Sequence, residues 1–212
     1  MKILFLHTLA SNITLFKPLA ATSLPKHDIF HDVQESFLSN IRKTGPTPSI
    51  VKQIQGYLNH QLTQGYDFIV CTCSTLGPIV DAYPDNRVFR VDRPMAEQTI
   101  NYKRVLVAVT LESTIVPTRS LLESTNPQSQ FEFLFIPEAW NHYVSDSMDK
   151  FNTSIINTID KHINKSSENY NAVLLAQASM AYAVDYCQFN IPVLSSPESC
   201  LRYLGKRLEN DL

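Results

Sequence analysis

Short apolar runs alternate along this chain with longer segments that carry one apolar residue every three or four positions. The runs fall at 2–7, 28–33, 67–72 and 87–91, and again at 103–109, 131–136, 171–176 and 191–194. They are rich in Val, Ile, Leu and Phe, the pattern of strands buried on both faces. Between them Ile54, Leu58 and Leu62 recur every four residues, and Ile155, Ile159 and Ile163 do the same. Each triplet predicts a helix with a single apolar stripe. Strands alternating with helices predict right-handed crossovers and parallel sheets, an α/β fold.

The pattern also repeats. YDFIVCTCSTLGPIVD from Tyr66 aligns without a gap on YNAVLLAQASMAYAVD from Tyr170, with Tyr66/Tyr170, Val80/Val184 and Asp81/Asp185 identical. KILFLHT from Lys2 matches RVLVAVT from Arg104, and VFRVDRP from Val88 matches IPVLSSP from Ile191. Four elements recur in one order, so the chain reads as two pseudo-symmetric four-stranded parallel-sheet domains with flanking helices. Pro94 and Pro197 each follow a fourth strand and suit the first turn of a helix. Each such helix is expected to cross to the other half. Leu201, Leu204 and Leu208 of the last helix would then pack on the first half. That places residues 1–97 with 198–212 in one domain and 98–197 in the other.

Composition narrows the possible functions. Among 212 residues, 44% are hydrophobic and 18% charged, which supports a packed core rather than disorder. The net charge of −2 gives no basic footprint for nucleic acid. No apolar run approaches the ~18 residues of a membrane span. Five glycines form neither GxGxxG nor GxxxxGK[ST], and the four cysteines lack zinc spacing, so the motifs give no case for a dinucleotide, a nucleoside triphosphate or a zinc site. The apolar run at Met1–Ala10 is broken by His7 and Thr8 and reads as a strand rather than a leader. A cytoplasmic protein with reduced thiols is expected.

Ligands of open parallel sheets bind beyond the carboxyl ends of the strands. Cys73 stands there, before a helix expected to start near Ser74 or Thr75. Unpaired amides and the helix dipole would favour its thiolate, a base or nucleophile. Alternatively, Cys73 is a small buried hydrophobe. Ser74 and Thr75 add donors for an anion, and Gly77 permits close approach. Ser113 and Thr114 either cap the next helix or bind a carboxylate. His7 ends the first strand, as a structural histidine, a site residue, or the base that thiol hydrolysis would need. Asp92 and Arg93 are expected to pair with each other or with a crossing helix. Cys71, Cys187 and Cys200 read as packing.

Cys73-Ser74-Thr75 after a YDFIV strand resembles the first cysteine motif of the aspartate/glutamate racemase superfamily. The segment from Val105 to Leu122 resembles the start of that family's second domain. Arg93–Gln98 and Leu175–Met180 look like an uncharacterised branch of it. The resemblance implies an active site in the cleft between two α/β domains, with no metal, nucleotide or pyridoxal cofactor. It implies a cysteine from each half flanking the α-carbon of a small anionic substrate. Here the second cysteine position is occupied by Gln177, which is neither acid nor base. The expectation is a cofactor-independent racemase- or isomerase-like enzyme with one catalytic cysteine, Cys73, or else a lyase or decarboxylase. Ser74, Thr75, Ser113, Thr114, Gln177, Ser179 and His7 would line the substrate site. The alternative is a non-catalytic carboxylate-binding or sensor protein. A homodimer is an open expectation, with no nucleic-acid or membrane partner.

Overall fold

The computed structural model describes residues 1–167 and 169–210. The chain divides into two compact units, Met1–Arg93 with residues from Cys200 onward, and Pro94–Ser199.

The first unit runs β1 (Lys2–His7), α1 (Ser11–Ser23), β2 (Asp28–Val33), α2 (Glu35–Thr44), α3 (Pro48–Thr63), β3 (Phe68–Cys71), a 3-10 turn (Ser74–Leu76), α4 (Gly77–Asp81) and β4 (Val88–Arg90). Its strands lie in the order β2-β1-β3-β4, every neighbouring pair parallel. The Thr47 hydroxyl caps α3 by accepting from the Ile50 amide, and Pro48 supplies the first helical position. Gly45 ends α2 at a φ of +74°, a conformation that side chains resist.

Strand alternation sorts the core. Leu4, Leu6, Ile69, Cys71 and Val88 pack with Phe37, Leu38 and Ile41 of α2 and with Ile54 and Leu58 of α3. The predicted stripe of α3 is thus its buried face, with Leu62 at its margin. On the opposite face Phe5 meets Phe16 of α1, ring centroids 5.3 Å apart.

The second unit holds α5 (Arg93–Gln98, entered from the first unit), β5 (Arg104–Val109), a 3-10 turn (Glu112–Thr114), α6 (Ile115–Thr125), β6 (Gln130–Phe135), α7 (Pro137–Val144), α8 (Met148–Lys165), β7 (Ala172–Leu175), a 3-10 segment (Ala178–Tyr186) and β8 (Val193–Ser195). Its order is β6-β5-β7-β8, again parallel throughout. Ile155 and Ile159 of α8 cover Leu106, Ala108, Val173 and Leu175. Leu121 and Leu122 of α6 cover Val105, Val107, Val109, Ala172 and Leu174 on the other face, together with Met95 and Ala96.

The last helix, α9 (Ser196–Asn210), starts in the second unit and belongs to the first from Cys200 onward. Leu201, Leu204 and Leu208 are buried. Tyr203 meets Phe89 edge-on, and the Arg207 guanidinium lies over Phe68.

Candidate functional site

The two sheets share one register. Leu6 pairs with Cys71 as Ala108 pairs with Leu175, and Cys71 pairs with Arg90 as Leu175 pairs with Ser195. Cys73 and Gln177 each follow two residues later, both in extended backbone at the start of a 3-10 segment. They are topological equivalents at the carboxyl ends of their sheets.

In the first unit Cys73 is 8% exposed, with Ser74 and Thr75 buried beside it. Its sulfur accepts from the hydroxyls of Thr8 and Thr75 and from the amides of Thr75 and Leu76. Thr8 lies immediately beyond β1 and is itself buried. Burial pushes the thiol up, and the four donors pull the other way without prevailing. The sequence expectation of a dipole-favoured thiolate is therefore corrected. The first turn is 3-10, α4 begins only at Gly77, and it spans just five residues. Desolvation outweighs so small a dipole. Cys73 rests as a buried thiol whose anion, once formed, has four donors waiting. Cys71 is fully buried, and burial pushes its thiol up as well; it is a packing residue.

Gly77 serves a different neighbour from the one expected. A Cβ there would stand 2.2 Å from Cζ of Arg90, so the close approach is by a guanidinium of the protein itself. Arg90 is 1% exposed. It donates through Nε and Nη2 to both oxygens of Asp92, at 2.6 and 2.9 Å, and through Nη1 to Asp81 at 2.9 Å. Arg93 donates to the other Asp81 oxygen at 2.6 Å. Asp92 and Arg93, expected to pair with each other or with a crossing helix, pair instead with Arg90 and with Asp81 of α4. Burial opposes the Arg90 charge, but Asp92 and Asp81 more than offset it.

His7 lies on the α1 face of the sheet, while Cys71 and Cys73 belong to the α2–α3 face. Its Nδ1 is 2.9 Å from the Thr72 hydroxyl and its Nε2 is 2.9 Å from Nδ1 of His31. Thr72 gives its proton to the Leu6 carbonyl, so it accepts from His7 Nδ1–H. His7 Nε2 then accepts from His31 Nδ1–H. Burial, then the neighbouring His31, lower the His7 pKa to about 3 against a weaker pull from Asp32. Both ring nitrogens are engaged inside the core, so neither serves a ligand or the Cys73 thiol. The base that thiol hydrolysis requires is not supplied by His7.

In the second unit Gln177 Oε1 accepts from the Thr110 amide at 2.6 Å, the Thr110 hydroxyl at 3.0 Å and the Leu111 amide at 3.3 Å. Two backbone N–H donors fix which end of the side-chain amide is oxygen, so Nε2 is the end turned away from Thr110. Ser179 is buried beside it and Ser113 is half-buried. Thr114 makes no side-chain cap on α6. Its hydroxyl turns back to the Leu111 carbonyl at 2.7 Å. Cys187, at the far end of the 3-10 segment, donates to the Ala183 carbonyl, and burial pushes its thiol up to about 11. It does not stand in for the missing second cysteine.

Thr8 and Thr110 lie just beyond the first strand of each half, where the sequence places ligands, but it assigns them no role, and it does not single out Arg90. The matched KILFLHT and RVLVAVT segments put the two threonines at one position, which was the available signal. Among the described residues no cluster of three or more His, Cys, Asp or Glu side chains is arranged to hold a metal, and no helix is long and apolar enough to cross a membrane.

The sequence matches no protein-family model. No curated protein matches it in sequence either. Solved structures do match in fold. Aspartate racemase of Picrophilus torridus superposes with a TM-score of 0.70 at 17% identity, covering 99% of this chain and 95% of that one. Glutamate racemase of Francisella tularensis, solved with D-glutamate, gives 0.64 at 13% identity over 99% and 81% of the two chains. A glycine-to-cysteine mutant of arylmalonate decarboxylase gives 0.59 at 12% identity over 99% and 94%. The two four-stranded parallel sheets with flanking helices are therefore the fold of racemase structures.

Proposed function

We propose that this chain is a cofactor-independent enzyme of the racemase, isomerase or decarboxylase type, acting on a small carboxylate with Cys73 as its single acid–base group. The observation that carries the reading is the contrast at one topological position. Cys73 offers a transferable proton within a ring of four donors, and Gln177 offers none.

The raised thiol pKa favours Cys73 as a proton donor. In a decarboxylation, the bond between the α-carbon and the departing carboxylate breaks and its electron pair enters an enediolate. The Cys73 S–H then protonates the α-carbon, and the new thiolate is held by Thr8, Thr75 and the Thr75 and Leu76 amides until solvent returns a proton. Ser74 binds the retained carboxylate, while Thr75 gives its one hydroxyl proton and its amide to the sulfur. Ser113, Thr114, Gln177 and Ser179 are the second half's counterparts, with Gln177 Nε2 as a stationary donor. The similarity in fold to aspartate and glutamate racemases and to arylmalonate decarboxylase supports this substrate class.

The raised pKa also favours a second reading, a carboxylate-binding protein that performs no chemistry, since a sensor needs no reactive thiolate. One experiment separates the two. The protein is incubated in D2O with aspartate, glutamate and a set of substituted malonates, following α-deuteration and CO2 release. The enzyme reading expects turnover of at least one compound, abolished in Cys73→Ser. Saturable binding by calorimetry without any exchange would establish the binding protein instead.

A further inference from the structure

We propose that Arg90 is the positioning residue of the Cys73 turn, its guanidinium laid against Gly77 to hold the segment whose amides meet the sulfur. The inference rests on the reading of Cys73 as the working thiol.

Three observations carry it. The first is contact. Gly77 directly follows Leu76, the last residue whose amide reaches the sulfur, and a Cβ on Gly77 would fall within 2.6 Å of three guanidinium atoms of Arg90. No other residue type lets the chain lie so close.

The second is the number of directions in which Arg90 is held. Asp92, just beyond β4, grips it with both oxygens, and Asp81 at the end of α4 takes the remaining Nη1. One cation therefore ties the beginning of α4, its end, and the strand that pairs with Cys71.

The third is an internal control. The second sheet has the same order and register, yet Ser195 stands where Arg90 stands and Ala181 aligns with Gly77. Among the described residues the fold is built there with no buried guanidinium. Burying a charge is costly even when it is paired, and that cost appears only in the half that carries the cysteine.

The test follows alkylation of Cys73 by iodoacetamide against pH in the full chain, read at the Cys73 peptide by mass spectrometry. It compares wild type with Arg90→Lys, which keeps the charge and loses the fork, and with Asp81→Asn, which removes the negative charge that Nη1 shares with Arg93. Circular dichroism reports folding. The expected result is an upward shift of the thiol midpoint by about one pH unit in Arg90→Lys, about tenfold slower reaction at pH 8. Asp81→Asn should shift it in the same direction by less. Folded variants with the wild-type midpoint would overturn the proposal. If Arg90→Lys does not fold, an unshifted Asp81→Asn overturns it alone. Because the readout is the thiol and not turnover, a shift without any substrate would still support Arg90 while removing the enzyme reading.

Discussion

Thr110 gives both its amide and its hydroxyl to the side-chain carbonyl of Gln177, at 2.6 and 3.0 Å. At the matching place in the first sheet, Thr8 gives its hydroxyl to the sulfur of Cys73. One threonine position thus serves two acceptors, and Gln177 keeps the acceptor function of a thiolate while losing its proton chemistry. Gln177→Leu strands buried donors and should lower stability by about 2 kcal/mol. Gln177→Glu, which still presents an oxygen, should lose less. Urea unfolding of the two variants decides, and equal stability of the Leu variant and wild type would remove the pin.

The Thr8 hydroxyl is one of four donors opposing the effect of burial on Cys73. Thr8→Val should raise the thiol pKa further and slow alkylation at pH 8 by about tenfold, the size of one charge-assisted hydrogen bond. Thr8→Ser should restore it. Thr110→Val, the same change in the other sheet, should leave Cys73 reactivity as it was.

Gly77 and Gly56 make opposite forecasts for the same substitution. Gly77→Ala drives a methyl into the Arg90 guanidinium and should cost about 1–3 kcal/mol. Gly56 lies inside α3 with nothing within 4 Å of an added Cβ, so Gly56→Ala should stabilise by about 0.5–1 kcal/mol. Denaturation midpoints moving in opposite directions would bear this out, and a neutral Gly77→Ala would refute the packing.

His7 makes stability depend on pH. Its pKa is lowered from 6.5 to about 3 in the folded chain, so between those values the unfolded chain binds a proton that the native one refuses. Stability is complete above pH 6.5 and falls as the pH drops toward 3, at about 1.4 kcal/mol per unit. His31, lowered by burial and by Lys17, acts in the same sense. Burial raises Asp32, but hydrogen bonds from Tyr57, Gln34 and the Val33 amide more than offset it and hold it below its usual carboxylate range. Between pH 7 and pH 5 wild type should lose about 2 kcal/mol more than His7→Gln. Matching pH profiles for the two proteins would show that His7 is not buried neutral.

The inner strands β1, β3, β5 and β7 were legible because strands buried on both faces need uninterrupted apolar runs. Ile54, Leu58, Ile155 and Ile159 announced their helices by spacing alone. Cys73 and Gln177 were placed by the repeat. What stayed hidden depended on distant partners. Arg90 sits in VFRVDRP, inside a run read as a buried strand, and only Gly77, Asp81 and Asp92 together make the burial of its charge tolerable. The identity of the atom that Gln177 turns toward Thr110 depends on a residue 67 positions away. His7 was within reach, since it shares strand parity with Ile3 and Phe5 rather than with Leu4 and Leu6. The length of α4 was not, because periodicity does not distinguish a 3-10 turn followed by five residues from a continuous helix.

Helix α9 closes the core of the first unit with residues from Cys200 onward, more than a hundred positions after that unit's last strand. A ribosome therefore exposes β1 to β4 long before Leu201, Leu204 and Leu208 exist. During synthesis the half bearing Cys73 waits with an uncovered apolar patch, while the later half can complete itself first. The first unit is thus the earlier to be started and the later to be finished.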